Sequence, residues 1–152
     1  MPSATGTGAQ PTRLLDTSAA VAHVVGDQLG PRHHHRGRAA APLGLAGHAW
    51  FETYSVLTRL PGALRRSPAD AARLLAHNFP ESAFLSEAAT AAPGTELAER
   101  GIAGGSLYDA LVAAAARHHD RPLLTLDARP AATYAALGVS LETPSEGFTR
   151  SR

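Results

Sequence analysis

The chain contains no cysteine and no lysine. Without cysteine there is no disulfide, no thiolate nucleophile and no Cys-based zinc site. That absence fits a reducing compartment. All 14 basic residues are Arg. A phosphate-cradling P-loop, Schiff-base catalysis and Lys-dependent kinase chemistry are therefore excluded. Aromatic residues make up 5% of the chain, which leaves little for base stacking. No apolar run approaches the roughly 18 residues that a membrane helix requires. The stretch Met1-Pro2-Ser3-Ala4-Thr5-Gly6-Thr7-Gly8 lacks the basic region and apolar core of a targeting signal. A soluble, cytoplasmic protein with no membrane contact is expected. Neither charge sign dominates. The net charge is +1, so any nucleic-acid site must be a local patch of Arg.

What is present suits a single globular domain. The chain has 152 residues, of which 44% are hydrophobic, enough for one real core. Residues 1–12 are small and polar and read as a disordered tail. The folded domain spans 13–142, and 143–152 form a C-terminal tail. Leu14-Leu15 predicts a short strand, followed by a helix from Ser18 to Val25 capped by Thr17 or Ser18. Residues 37–46 carry a weak signal for a turn or a little helix. His48–Leu60 predicts a helix ended by Pro61-Gly62, with Trp50, Tyr54 and Leu57 on one apolar face. Ser67-Pro68-Ala69-Asp70 opens another helix running to about Asn78. Ala83–Leu85 predicts a strand, and Thr95–Arg100 a short helix. Ser106-Leu107-Tyr108-Asp109 has the form of a capping box opening a helix to about His118. Leu123–Leu126 predicts a strand, Pro130–Leu137 a helix closed by Gly138, and Val139–Leu141 a last strand. Strands alternating with helices predict an α/β fold, a short central parallel sheet with helices on both faces.

Four acids stand at the edges of apolar segments: Asp16, Glu52, Asp109 and Asp127. Carboxylates normally lie on solvated faces, so acids in such settings need a reason. Hard cations such as Mg²⁺ or Mn²⁺ supply one, because they bind through oxygen and keep waters for chemistry on phosphates. In an open parallel sheet, ligands bind outside the carboxyl ends of the strands. Asp16 and Asp127 follow strands there, and Asp109 lies in a first helical turn. Each acid also has a plain structural role open to it. Asp16 and Asp127 suit helix caps or Asx turns. Asp109 suits a helix N-terminus, and Glu52 a solvated helix face paired with Arg59 or a neighbour.

Four blocks in this order carry a family resemblance. They are Leu14-Leu15-Asp16-Thr17-Ser18, then Phe51-Glu52-Thr53-Tyr54-Ser55-Val56-Leu57-Thr58-Arg59-Leu60-Pro61, then Tyr108-Asp109-Ala110-Leu111-Val112-Ala113-Ala114-Ala115, then Leu124-Thr125-Leu126-Asp127. Together they resemble a PIN domain, specifically the VapC-type toxin ribonucleases, over residues 13 to about 142. The resemblance implies a PIN-like fold and a Mg²⁺- or Mn²⁺-dependent endoribonuclease, the toxin of a type II toxin–antitoxin system held inactive by a cognate antitoxin. It maps the family's acids onto Asp16, Glu52, Asp109 and Asp127, its small hydroxyl position onto Ser18, and the polar residue before the last acid onto Thr125. On that basis Asp16 and Asp109 are expected to ligate the metal directly. Glu52 completes the site directly or through water, and Asp127 supports a second ion or orients the attacking water.

Other features have plainer readings. His33-His34-His35 could offer imidazoles to zinc, copper or nickel, but three adjacent side chains converge poorly, and a solvated loop is expected. His118-His119 suits a helix C-terminus. Arg65 and Arg66 are candidate RNA phosphate contacts, with a solvated surface as the rival. The RNA target, the number of metal ions and the oligomeric state, a homodimer included, stay open. The alternative function is a catalytically idle PIN-type module that binds RNA or protein. A different acid-cluster phosphoesterase is a third.

Overall fold

Two adjacent leucines define the layers. Leu14 and Leu15 are both fully buried, yet they belong to separate hydrophobic clusters. Successive strand side chains point to opposite faces, so a sheet apolar on both faces must be covered on both. The computed structural model describes residues 12–29, 41–91 and 94–142. Of the expected tails at 1–12 and 143–152, residues 1–11 and 143–152 lie outside the described residues, as does the His33–His35 loop with Arg36 and Arg38.

The central strand is β1 (Arg13–Leu15), flanked by β2 (Leu43–Leu45) and β3 (Leu123–Leu124), with β4 (Leu141–Glu142) beyond β3. The order is β2-β1-β3-β4 and every pairing is parallel. Cα partners include Leu15 with Leu45 and Leu15 with Leu124. The helices are α1 (Thr17–Leu29), α2 (Ala49–Arg59), α3 (Pro68–Asn78), α4 (Glu87–Ala91), α5 (Gly94–Glu99), α6 (Ser106–His118) and α7 (Ala128–Ala136). On the Leu15 side lie Ala19, Ala20 and Val24 of α1, Leu57 of α2, and Ala71 and Leu75 of α3. On the Leu14 side lie Ala110, Ala113 and Ala116 of α6 with Tyr134 of α7. No helix among the described residues is long and apolar enough to cross a membrane.

The expected α/β architecture holds, with local corrections. Strand β2 occupies the stretch from which only a turn or some helix was expected. It is three residues long, and its centre is Gly44, a poor strand former. Glycine is required there because a Cβ at that position would lie 2.1 Å from the Glu81 carbonyl oxygen. Ala83–Leu85 forms a single bridge, Ala46 with Ala83, rather than a strand. The last strand is Leu141–Glu142 rather than Val139–Leu141, starting two residues later, and α4 was not anticipated. Trp50 and Tyr54 pack partly buried against the Leu15-side cluster. The fully covered stripe of α2 is Ala49, Thr53 and Leu57. Ser67 caps α3 as expected, accepting from the Asp70 amide at 3.1 Å. The anticipated capping box at Ser106 does not form. Its hydroxyl instead donates to the Ala103 carbonyl at 2.7 Å, and Asp109 is free of that duty.

Candidate active site

The chain leaves β1 to build β2 on one side and returns to build β3 on the other. The crevice outside the carboxyl ends of β1 and β3 is therefore the topological switch point, where ligands bind in open parallel sheets. Asp16 follows β1 and Thr125–Asp127 follow β3.

Asp16 is only 3% exposed. A buried carboxylate needs donors, and Asp16 has four. Its Oδ1 accepts from the Ser18 hydroxyl at 2.6 Å and from the Ala19 amide at 3.0 Å. Its Oδ2 accepts a short bond from the Thr125 hydroxyl and one from the Tyr134 hydroxyl at 3.2 Å. The Ala19 bond makes Asp16 the cap of α1, the structural role open to it, in place of Thr17 or Ser18. Ser18 also accepts from the Leu126 amide at 2.9 Å, clamping the loop after β3 to the start of α1. Ser18 and Thr125 thus both stand beside Asp16.

Glu52 rises from the first turn of α2 and accepts from the Thr17 hydroxyl at 2.7 Å. His48 Nε2 stands 3.9 Å from its other oxygen. Arg59, its expected partner, turns instead to the Ser55 carbonyl at 3.1 Å. Asp109 lies in the first turn of α6. Burial pushes its carboxyl above the ordinary range, and the charges of Glu52, Asp16 and Asp127 push it further. Asp127 caps α7 through the Arg129 amide at 3.0 Å and holds the Arg129 guanidinium at 2.6–3.1 Å. Those Arg129 bonds keep the Asp127 carboxyl below the ordinary range.

All four acids line one cleft of about 810 Å³. A PIN domain family model matches residues 13–136. The chain belongs to the PIN domain family. It is 44% identical over 130 residues to Ribonuclease VapC27 of Mycobacterium tuberculosis, covering 86% of this chain and 95% of that protein. It is 42% identical over 100 residues to Ribonuclease VapC40 of the same species, covering 64% of this chain and 74% of that protein. Among solved structures, that of FitAB bound to an IR36 DNA fragment superimposes with a TM-score of 0.55 at 18% identity, over 93% of this chain and 99% of that one. FitAcB from Neisseria gonorrhoeae gives 0.51 at 19% identity, over 86% and 96%. At such identities these two structures speak for the fold alone.

The four acids of the PIN cleft offer oxygen donors, which suit a hard cation better than a soft one. Asp109, raised by burial and then by its acidic neighbours, is a group whose ionised form a cation would favour. Among the described residues no three of these acids are drawn into a ready-made metal cage. Asp16 is turned to its donors and Asp127 to Arg129.

The structure separates the candidate RNA contacts from the cleft. Arg65 and Arg66 do not line it. Arg65 bonds the Leu60 carbonyl at 3.0 Å, and Arg66 the Ala63 carbonyl at 3.4 Å. Arg59 and Arg129 line it instead. Arg59 lies seven residues after Glu52, two helical turns along the same face, and that spacing was a usable signal. Tyr134 was missed because nothing local marks its hydroxyl as the partner of Asp16. The low aromatic content also misled, since Phe51, Tyr108 and Tyr134 all line the cleft.

Proposed function

We propose that this chain is a divalent-metal-dependent endoribonuclease, the toxin of a type II toxin–antitoxin pair. The observation that carries this is the convergence of Asp16, Glu52, Asp109 and Asp127 from four separate segments on one cleft at the switch point of the sheet. Like charges at ~4 Å repel by roughly 1 kcal/mol in bulk water and ~4 kcal/mol at an effective dielectric of 20, so a fold retains such a group where a cation offsets the cost. The 44% identity to a protein named a ribonuclease supports RNA as substrate.

Asp16 and Asp109 are the direct ligands in this proposal, with Glu52 completing the site directly or through water. When bound, Mg²⁺ or Mn²⁺ supplies Lewis acidity at the scissile phosphate and an acidified water. Ser18, Thr125 and Tyr134 hold the Asp16 carboxylate in one orientation. Asp127 supports a second ion or orients the attacking water once it leaves Arg129. The partner is a cognate antitoxin. A segment presenting an Arg to the acids would replace part of the metal's charge and silence the site.

The competing proposal is an idle binding module. One observation favours it: both oxygens of Asp16 already carry two donors each, which fills the lone-pair sites of a carboxylate. Cleavage of single-stranded RNA in Mg²⁺ or Mn²⁺, tested against EDTA, separates the two. Asp16→Ala, Glu52→Ala and Asp109→Ala should each remove most activity while the fold survives, and Asp127→Ala should cost less. Wild-type cleavage rates in Asp109→Ala would sink the nuclease proposal. Expressed alone, the wild type should be toxic to cells and Asp16→Ala harmless.

A further inference from the structure

The sequence has four Phe, three Tyr and one Trp. Two of these rings are left largely in solvent beside the acids: Phe51 is 57% exposed and Tyr108 is 48% exposed, and both line the cleft. Each directly precedes an acid. Phe51 precedes Glu52 on α2, and Tyr108 precedes Asp109 on α6. The His48 ring stacks on Tyr108 with centroids 4.9 Å apart and planes 17° apart. It lies 6.2 Å from the Phe51 ring. Burying rings of this size would have stabilised the fold, and neither belongs to the two hydrophobic clusters.

The same cleft holds Arg59 and Arg129. Cations that track a phosphate backbone, beside flat rings that receive bases, are the combination by which proteins hold unpaired nucleotides. We infer that Phe51 and the His48–Tyr108 pair form a stacking rim that holds an unpaired base next to the scissile phosphate. The inference rests on the ribonuclease proposal and adds how the substrate is positioned. A second copy of the chain is a poorer occupant. Covering these rings with protein would also strip water from Glu52, Asp109 and Arg59, at a cost that a base with its hydrated phosphate avoids.

The test uses an oligoribonucleotide that the full-length wild type cleaves, with the cut mapped. Single 2-aminopurine or abasic replacements are made on each side of the cut. Binding is read by 2-aminopurine fluorescence in Mg²⁺ in a Glu52→Gln background, where cleavage is silenced. Phe51→Leu and Tyr108→Leu, both at exposed positions, are compared with Tyr108→Phe, which keeps the ring. The expected result is a fluorescence change on binding that both Leu variants diminish and Tyr108→Phe retains. In the cleaving protein the Leu variants should raise KM by about tenfold, as loss of one stacked base would, with kcat nearly kept. The abasic substrate should weaken wild-type binding and leave the Leu variants unaffected. Unchanged KM and fluorescence in both Leu variants, with a wild type that cleaves, would overturn the rim and leave the nuclease standing. A shift from dimer to monomer in sedimentation, with KM unchanged, would assign the rings to a second copy and overturn it too. A wild type that neither binds nor cleaves RNA would overturn both proposals.

Discussion

Tyr134 donates its hydroxyl to Asp16 Oδ2 at 3.2 Å, joining α7 to the end of β1 across 118 residues of chain. The ring is 2% exposed, and burial with the nearby Asp16 and Asp109 charges pushes its pKa upward, so the donor keeps its proton at every working pH. A hydrogen bond to a charged group contributes roughly 1.5–3 kcal/mol. Tyr134→Phe keeps the ring and removes only the donor. Urea denaturation at pH 7 should show a loss of about 1–3 kcal/mol. RNA cleavage should fall roughly tenfold, the order seen when a ligand loses its orienting partner. Wild-type stability together with wild-type cleavage would mean that the contact neither holds nor orients Asp16.

Asp109 should set a pH dependence. Its folded pKa lies above the ordinary 3.8, chiefly through burial and then through Glu52, Asp16 and Asp127. The folded state therefore binds more protons than the unfolded state between those two values. Stability contributed at this position falls as pH rises through that window, and below 3.8 the penalty is gone. Asp109→Asn should accordingly melt higher than wild type at pH 7, with the gap closing as pH drops toward 3.8. Mg²⁺ favours the ionised carboxylate, so it should stabilise wild type at pH 7 more than at pH 4, and Asp109→Asn little at either. A constant gap between the two proteins across this range would remove the acid cluster as its cause.

The acids were legible because a carboxylate at the end of a two-leucine strand, or in the first turn of an apolar helix, conflicts with the pattern around it. Asp16 and Asp127 were read as caps or as site residues, and the structure gives both caps while placing them on the cleft. Strand β2 was not legible. Its register is held by β1, and its Gly44 is dictated by the Glu81 carbonyl, which is distant in sequence. Tyr134 beside Asp16 and the Phe51–Tyr108 rim depend on how helices are brought together on folding. No spacing within one segment encodes that. Arg65 and Arg66 attracted notice as a pair, but a charged pair has no address until the chain is folded.

Gly44 gives a prediction about the sheet alone. A methyl group there would meet the Glu81 oxygen, its carbonyl carbon and the Ser82 nitrogen at 2.1, 2.4 and 2.8 Å, all of them backbone. Backbone cannot rotate away as a side-chain tip can. Gly44→Ala should therefore cost about 1–3 kcal/mol or more, the range for overpacking a well-filled interior. Gly26→Ala, with open space around the added methyl, is the control and should be near neutral or slightly stabilising. Equal melting temperatures for Gly44→Ala and wild type would show that β2 can shift away from Glu81 at little cost.

The arginines in the cleft should govern RNA affinity. Each Arg that neutralises a phosphate releases counterions, so removing one should lower the slope of log K against log salt by about 0.7 on a single strand. Arg59→Ala and Arg129→Ala should each raise KM and flatten that slope. Arg65→Ala and Arg66→Ala should do neither, because both side chains point to nearby carbonyls outside the cleft. Arg129→Ala carries a second effect. It frees Asp127 from the guanidinium that holds its carboxyl below the ordinary range. The Asp127 oxygens then become available to a cation, so less Mg²⁺ should be needed for half-maximal rate in Arg129→Ala than in wild type. Arg59→Ala should leave that requirement unchanged, since Arg59 bonds the Ser55 carbonyl and no acid. Titrating Mg²⁺ at fixed ionic strength separates the two effects. A salt slope flattened by Arg65→Ala or Arg66→Ala, and untouched by Arg59→Ala and Arg129→Ala, would move the path of the RNA backbone off this cleft.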